Sequence, residues 1–184
     1  MYDAALFYGD KAEKVSTVLS KLGVAPRSYC LATIHRAENT DDAKRLSSIL
    51  DGFSIFDSKV ILPLHPRTRS RIASLGLEIP SCVTVVEPVG YLDMVMLEKN
   101  ANLIATDSGG VQKEAFFYRV PCVTLRNETE WTELVEAGWN RLALPEDGRS
   151  IASVMHEAMD SRGRDVEPYG SGDAAVRIAE CLLK

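Results

Sequence analysis

The sequence predicts a doubly wound, Rossmann-like α/β fold, and three observations carry that prediction. Short strand-like segments alternate with helical segments six times along the chain. The strand segments are continuous apolar runs, as expected for parallel strands that helices cover on both faces. Polar or glycine-containing sequence follows most of these runs. Right-handed crossovers and the commonest six-strand order, 3-2-1-4-5-6, would place strands one and four side by side.

The first half of the chain predicts three strands separated by helices. A helix over residues 3–22 should end at Gly23, because glycine commonly follows a helix terminus. Asp41 should cap a later helix by accepting from its first N–H groups, and the polar residues 35–39 should form a loop. The segments in order are the helix 3–22, the strand 29–34, the helix after Asp41 with Leu46, Ile49, Leu50 and Phe53 on its apolar face, the strand 59–64, a short basic helix reaching Leu75, and the strand 83–86.

The second half continues the same alternation. Gly138 should close one helix, and a weak strand follows it. The segments are the helix 91–98, the strand 102–105, the helix 111–118, the strand 121–125, the helix 131–137, the strand 141–144, and the helices 151–159 and 174–183. Neither an internal repeat nor a long linker divides the chain. Residues 1–184 are therefore expected to form one domain.

Composition excludes several classes of protein. The chain has 184 residues, of which 46% are hydrophobic and 26% charged, as is usual for a globular protein with a core. A net charge of −5 argues against a nucleic-acid binder or a protein held on anionic membranes. No apolar run reaches the ~20 residues of a membrane span. The four cysteines show no C-x-x-C spacing, so no metal site is expected. We therefore expect a cytoplasmic protein.

Residues 106–115, Thr-Asp-Ser-Gly-Gly-Val-Gln-Lys-Glu-Ala, are the strongest functional signal. They join a strand to a helix, and Gly109 and Gly110 let the backbone approach a ligand at the N–H groups that open the helix. Such a turn favours phosphate, with Ser108 adding a hydroxyl and Glu114 placed to accept from ribose hydroxyls. The alternative is a helix N-terminus capped by Asp107 or Ser108 without a ligand.

Other polar residues follow the remaining strands at the same edge. His35 follows strand one and could bind diphosphate, exchange a proton, or serve as a hydrogen-bonded structural residue. His65 follows strand two with the same alternatives. Arg126 follows strand five and could clamp phosphate or pair with Glu128 or Glu130 at the surface. Because ligands of this fold bind outside the carboxyl ends at the switch point, these loops predict a phosphate-bearing ligand.

Four separated motifs resemble the non-hydrolysing UDP-N-acetylglucosamine 2-epimerases. They are residues 33–39 (Thr-Ile-His-Arg-Ala-Glu-Asn), residues 64–67 (Leu-His-Pro-Arg), residues 106–115, and residues 121–140 from Pro-Cys-Val-Thr-Leu-Arg to Gly-Trp-Asn. The resemblance covers nearly the whole chain but only the C-terminal half of that family. It implies one half of a glycosyltransferase-B fold, with the missing N-terminal catalytic domain as a partner and a homodimer left open.

The resemblance also implies a role for each motif. Residues matching Ser108, Gly109 and Gly110 would hold diphosphate, the one matching Glu114 would hold ribose, and the one matching His35 would be catalytic. The remaining residues expected to contact UDP or its N-acetylglucosamine are Arg36, His65, Met94, Arg126 and Glu130. The implied reaction inverts C2 by elimination and re-addition of UDP, and it needs no metal and no nicotinamide cofactor.

The chain departs from the family pattern at two places. Family members often have T-E-R-P-E where this chain has residues 129–133, Thr-Glu-Trp-Thr-Glu, and E-E where it has Lys113 and Glu114. The first departure leaves a role for Trp131 open and indicates a variant sugar, such as a UDP-diacetamido-uronic acid, as an alternative substrate. The donor-binding half of a glycosyltransferase and a UDP-binding module without activity are further alternatives. This half alone is expected to be inactive.

Overall fold

The computed structural model describes residues 1–159 and 161–183, which form a parallel sheet with helices on both faces. The sheet has six strands in the order β3-β2-β1-β4-β5-β6, and all neighbouring pairs are parallel. The strands are β1 (Cys30–Thr33), β2 (Val60–Pro63), β3 (Val83–Val86), β4 (Leu103–Thr106), β5 (Cys122–Thr124) and β6 (Asn140–Leu142). The predicted fold class and strand order are confirmed.

Ten helices lie within the described residues and follow the predicted alternation closely. They are α1 (Tyr2–Val15), α2 (Val18–Leu22), α3 (Ala37–Thr40), α4 (Ala43–Phe56), α5 (Pro66–Ser74), α6 (Tyr91–Asn100), α7 (Gly109–Phe117), α8 (Thr132–Glu136), α9 (Gly148–Met159) and α10 (Ala174–Leu182). Gly23 and Gly138 have positive φ angles of 60° and 80° at the ends of α2 and of the turn after α8. Both glycines therefore end helices as predicted.

The two central strands carry the core. All four residues of β1 and of β4 are buried, which explains why the sequence shows no alternation there. On one face, Phe53 of α4 and Ile151 of α9 belong to a single apolar cluster with side chains of the sheet. On the other face, Leu97 of α6 and Ala115 of α7 pack against Leu31 and Ile104. The strand ends are thereby held rigidly at the edge where the polar loops leave.

The helix predicted over residues 3–22 is two helices in the structure. Ser16 ends α1 with extended backbone angles (φ −79°, ψ 136°). Its hydroxyl donates to Asp93 Oδ1 at 2.5 Å and accepts from the Val18 N–H at 3.3 Å. A serine hydroxyl that bonds locally competes with helical hydrogen bonding. The break therefore depends on a partner 77 residues away in the sequence, which helical periodicity does not reveal.

Two further predictions about the loop after β1 were wrong. The cap of α4 is Asp42 rather than Asp41, because Asp42 Oδ1 accepts from the N–H groups of Lys44 and Arg45 at 2.9 and 3.0 Å. Asp41 instead ends α3. The polar residues 35–39, expected to be a loop, contain the start of α3, whose N–H groups at residues 39 and 40 bond back to the Arg36 carbonyl. The loop is thus a tight helical turn against the sheet edge.

The described residues contain neither a membrane-spanning helix nor a cluster of metal-binding side chains. None of the helices there is both long enough and apolar enough to cross a bilayer. In the same residues, no group of three or more His, Cys, Asp or Glu side chains is arranged to hold a metal ion.

Candidate functional site

The turn between β4 and α7 is an open helix N-terminus. Ser108 is the N-cap of α7, and its Oγ accepts from the Val111 N–H at 3.4 Å. The Ser108 N–H is already used, because it donates to Thr106 Oγ1 at 2.9 Å. In the part of the chain that the structure describes, the N–H groups of Gly109 and Gly110 have no protein acceptor. Two unoccupied N–H groups at a helix N-terminus form a favourable place for an anion.

The loop after β1 lies directly beside this turn. Thr33 of β1 is paired in register with Thr106 of β4, and their hydroxyls are hydrogen-bonded at 2.5 Å. The next residues of the two strands therefore leave the sheet together. His35 follows one strand and Asp107 the other, so the two loops meet as the strand order predicts.

Asp107 organises the loop after β1 from a fully buried position. Its carboxylate accepts from the His35 N–H at 3.1 Å, the Arg36 N–H at 3.0 Å and Asn39 Nδ2 at 3.2 Å. His35 Nδ1 lies 3.2 Å from Asp107 Oδ1, while the His35 side chain remains 54% exposed. The half-exposed imidazole of His35 therefore lies beside a buried carboxylate, where it can bind an anion or move a proton.

Arg126 lies at the centre of an ion-pair cluster on the β5 side. Its Nη1 and Nη2 donate to the two carboxylate oxygens of Glu130 at 2.9 and 3.1 Å, and its Nε lies 3.3 Å from Glu38. Arg36 lies 3.8 Å from Glu130. The hydrogen bond from Arg126 is the main reason why the pKa of Glu130 falls to about 2. Of the sequence alternatives, the structure contains pairing with Glu130, but Arg126 is buried rather than at the surface. Phosphate binding by Arg126 stays a prediction.

Glu114 lies on the α6 side of the turn beside a second acidic group. Tyr91 Oη donates to Glu114 Oε1 at 3.3 Å. Glu98 of α6 is buried, and neither of its carboxylate oxygens has a hydrogen-bond partner among the described residues. Burial raises the pKa of Glu114, and burial together with the Glu114 charge raises the pKa of Glu98 well above its usual value. Both carboxyl groups on this side of the site are therefore protonated more readily than free glutamates.

Met94 and His65 are the predicted site residues that do not join these clusters. Met94 of α6 is half-buried and packs against the apolar cluster under α6 and α7. His65 is the N-cap of α5, and its Nδ1 accepts from the Arg67 N–H at 3.2 Å. The capping bond gives His65 a structural role, and substrate binding by His65 and Met94 remains a prediction.

The two departures from the family pattern touch each other. Lys113 Nζ lies 4.2 Å from the ring centroid of Trp131 and 4.2 Å from that of Tyr169. Trp131 Nε1 in turn donates to the Gly109 carbonyl at 2.8 Å. The two departures are 18 residues apart in the sequence, and the fold brings Lys113 and Trp131 into contact beside the turn between β4 and α7.

Sequence reasoning missed the two acidic residues that shape the site. Asp107 was considered as a helix cap, whereas Ser108 is the cap and Asp107 fixes the neighbouring loop. A carboxylate directly after a strand, opposite a histidine in the adjacent loop, was the available signal. Glu98 occupies a buried position of α6, and helical periodicity contains no signal that a charged residue is buried there.

Comparison with known proteins decides the family. The family model for UDP-N-acetylglucosamine 2-epimerase matches residues 1–183. The chain belongs to this family. Among curated relatives, the UDP-2,3-diacetamido-2,3-dideoxy-D-glucuronate 2-epimerase of Pseudomonas aeruginosa is 46% identical over 192 aligned positions, which cover 100% of this chain and 51% of that protein. The UDP-N-acetylglucosamine 2-epimerase of Methanocaldococcus jannaschii is 41% identical and is matched over 94% of this chain and 49% of its own length.

Solved structures of the same family have the same fold. The crystal structure of the M. jannaschii UDP-GlcNAc 2-epimerase in complex with UDP-GlcNAc and UDP superposes with a TM-score of 0.86 at 38% identity, covering 99% of this epimerase-family chain and 52% of that one. The chain thus spans about half the length of the curated relatives it matches. Its sheet is one Rossmann-like half of a glycosyltransferase-B fold.

Proposed function

We propose that this chain is the UDP-sugar-binding half of a UDP-N-acetylglucosamine 2-epimerase, folded as a single domain. The observation that carries the proposal is the junction of two loops: the His35–Asp107 pair lies next to the N–H groups of Gly109 and Gly110, which have no acceptor among the described residues. An anion-binding helix N-terminus beside an oriented imidazole suits a diphosphate that must be held and then leave. The family match over residues 1–183 supports the same reading.

In this proposal, different residues contact each part of the UDP-sugar. The diphosphate lies on the Ser108 turn, where the helix N-terminus supplies positive potential without a formal charge. Glu114 accepts from the ribose hydroxyls, a role that suits a partly buried carboxylate. Backbone near Met94 holds uracil. Glu130, which Arg126 keeps ionised, lies beside Gly109, where it accepts hydrogen bonds from hydroxyls of the sugar.

The proposed reaction inverts C2 of the sugar. Removal of the C2 proton and departure of UDP give a glycal, and UDP then adds back with a proton delivered to the opposite face. His35 Nε2 assists departure by binding the diphosphate. Proton transfer on both faces requires acid–base groups on both sides of the ring, and one domain lines only one side. We expect the acid–base groups on the other side of the sugar ring to come from the half of the relatives' sequence that this chain does not span. Activity therefore requires that second half.

A second substrate is favoured by one observation. The P. aeruginosa relative, which acts on a UDP-diacetamido-glucuronate, is 46% identical, against 41% for the M. jannaschii enzyme. The uronate differs from UDP-N-acetylglucosamine at C3 and C6 and shares the UDP group and C2. The proposed site and reaction are therefore the same for both sugars, and only the contacts to the ring differ.

Proton exchange at C2 in heavy water tests the proposal. Each UDP-sugar is incubated with this chain alone and with this chain fused behind the amino-terminal half of the P. aeruginosa relative. We expect no deuterium at C2 with the chain alone, deuterium with the fusion for at least one sugar, and loss of that signal in His35→Ala. Deuterium incorporated by this chain alone would contradict the half-enzyme proposal. A fusion that binds UDP but exchanges neither sugar would favour the donor half of a glycosyltransferase.

A further inference from the structure

We infer that Trp131 is a positioning residue for the diphosphate of the nucleotide ligand, acting through the Gly109–Gly110 peptide group. The inference rests on the proposed function, because it assumes that a diphosphate binds at the Ser108 turn. The indole Nε1–H donates to the Gly109 carbonyl at 2.8 Å. That carbonyl and the Gly110 N–H belong to one planar peptide group, so fixing the oxygen also fixes the direction of the N–H.

The bond adds a constraint from outside the helix to the first peptide group of α7. Gly109 and Gly110 have no side chains to limit rotation of the plane between them. A Cβ on Gly109 would lie 3.5 Å from Trp131 Nε1 and 3.7 Å from Glu130 Oε2. The indole therefore packs against the turn itself and not against a distant part of the loop. Holding the peptide plane in advance removes an ordering cost from ligand binding.

The same contact also strengthens the donor. In an α-helix the carbonyl of the first residue accepts from the N–H four residues on, and Trp131 adds a second donor to the Gly109 carbonyl. A carbonyl that accepts two hydrogen bonds is more polarised, and its own peptide N–H becomes a better donor. The N–H in question belongs to Gly110, which has no protein acceptor in the described residues. Its improved donor strength is available to a phosphate oxygen.

Lys113 also contacts the indole, and its ammonium lies over the face of the Trp131 ring. Its ammonium lies 4.2 Å from the Trp131 ring centroid, within the range of a cation–π interaction. A cation over the ring draws electron density away from Nε1–H and makes it a stronger donor. The Tyr169 ring centroid lies 4.2 Å from the same ammonium and 6.4 Å from the Trp131 centroid, and the Tyr169 hydroxyl donates to Glu133. The Lys113 and Trp131 departures thus form one unit directed at the turn.

Trp131→Phe is the variant that isolates this effect. Phenylalanine keeps an aromatic face for Lys113 and Tyr169 but removes the N–H. We expect the affinities for UDP and for inorganic diphosphate to fall about 5- to 10-fold, as for one ordinary hydrogen bond, with the affinity for uridine unchanged within about twofold. Binding is measured by calorimetry or by amide shifts on titration, and the melting temperature without ligand shows whether the fold is kept.

Lys113→Met serves as the second variant, because it removes the charge and keeps a flexible apolar stem over the ring. We expect the same pattern with a smaller factor, about twofold. Unchanged UDP affinity in both variants would overturn the inference, and so would an equal loss for UDP and uridine, which would indicate an effect through the fold. Failure of the native chain to bind UDP would remove the proposed function itself, whereas unchanged variants of a UDP-binding chain remove only this inference.

Discussion

Replacing Asp107 by Asn should weaken the fold at the point where the two site loops meet. The Asp107 carboxylate serves the backbone N–H groups of His35 and Arg36, the Asn39 side chain and the His35 ring. The His35 N–H is shared between the two carboxylate oxygens at 3.1 Å each, whereas the Arg36 and Asn39 bonds go to Oδ2. The single oxygen of Asn at the Oδ2 position can keep one acceptor for each of these donors. Its new NH2 group then takes the Oδ1 position, where it faces the His35 N–H donor to donor.

The loss of unfolding free energy depends on which of these contacts water cannot replace. The His35 ring is 54% exposed, so its lost contact costs little. The fully buried acceptor loses its charge, and the His35 N–H exchanges one of its two acceptor oxygens for a donor, which together cost about 1.5–3 kcal/mol of unfolding free energy. For a chain of this size, that loss lowers the melting temperature by roughly 3–12 °C.

The assay is urea denaturation of the native chain, Asp107→Asn and a matched control. Asp41→Asn makes the same chemical change at a 51%-exposed carboxylate that pairs with Arg67 at 3.0 Å. A surface pair of this kind contributes at most about 1 kcal/mol. We expect unchanged m values and a clear midpoint difference between the two variants. An Asp107→Asn loss no larger than the Asp41→Asn loss would refute the organising role of Asp107.

Three further predictions concern the acidic residues Glu98 and Glu114 and the packing of Gly52 in the core. Because burial raises the folded pKa of Glu98 above its ordinary value of 4.5, the stability that this group contributes is complete below about pH 4.5 and is lost as pH rises through the folded pKa. Glu98→Gln should therefore melt higher than the native chain at pH 8 by more than at pH 5, whereas the exposed Glu157→Gln should show no such trend. Glu114→Ala should weaken UDP binding by about 1.5–3 kcal/mol without weakening inorganic diphosphate, measured by calorimetry; equal losses would indicate an effect through the fold. In urea, Gly52→Ala should be less favourable in the native chain than in an Ile151→Ala background by ~1 kcal/mol or more, because its Cβ would lie 2.8 Å from Ile151 Cγ2. The ~1 kcal/mol that alanine gains in helix propensity is the same in both backgrounds and cancels. An equal effect of Gly52→Ala in the two backgrounds would contradict close packing of α4 on α9.

The order of the sheet could be predicted from sequence because it depends on rules that act along the whole chain. Buried apolar runs predicted parallel strands, and the crossover rule then placed β1 beside β4, which brought His35 and Ser108 together. Those features need no knowledge of individual side-chain partners. The resemblance of four motifs predicted the family, and the match of the family model to residues 1–183 confirmed that prediction.

The wrong predictions of the α4 cap and of the loop 35–39 were local, whereas the other failures involve a side chain whose partner is distant in sequence. Ser16 breaks the first helix by donating to Asp93, and Asp107 serves a loop some 70 residues earlier. Glu98 is buried beside Glu114, a contact between two helices that no local pattern encodes. Local patterns predict the period and the ends of an element. They do not predict which polar group of another element will compete for its hydrogen bonds.

The most direct test of the account is a titration of the isotopically labelled chain with UDP, observed through its glycine amides. The central claim is that the N–H groups of Gly109 and Gly110 bind the diphosphate. We expect saturable shifts of both amide resonances with UDP and with inorganic diphosphate, while Gly23 and Gly76, at helix ends away from the turn, stay in place. Saturable UDP binding that leaves the Gly109 and Gly110 amides unmoved would contradict it.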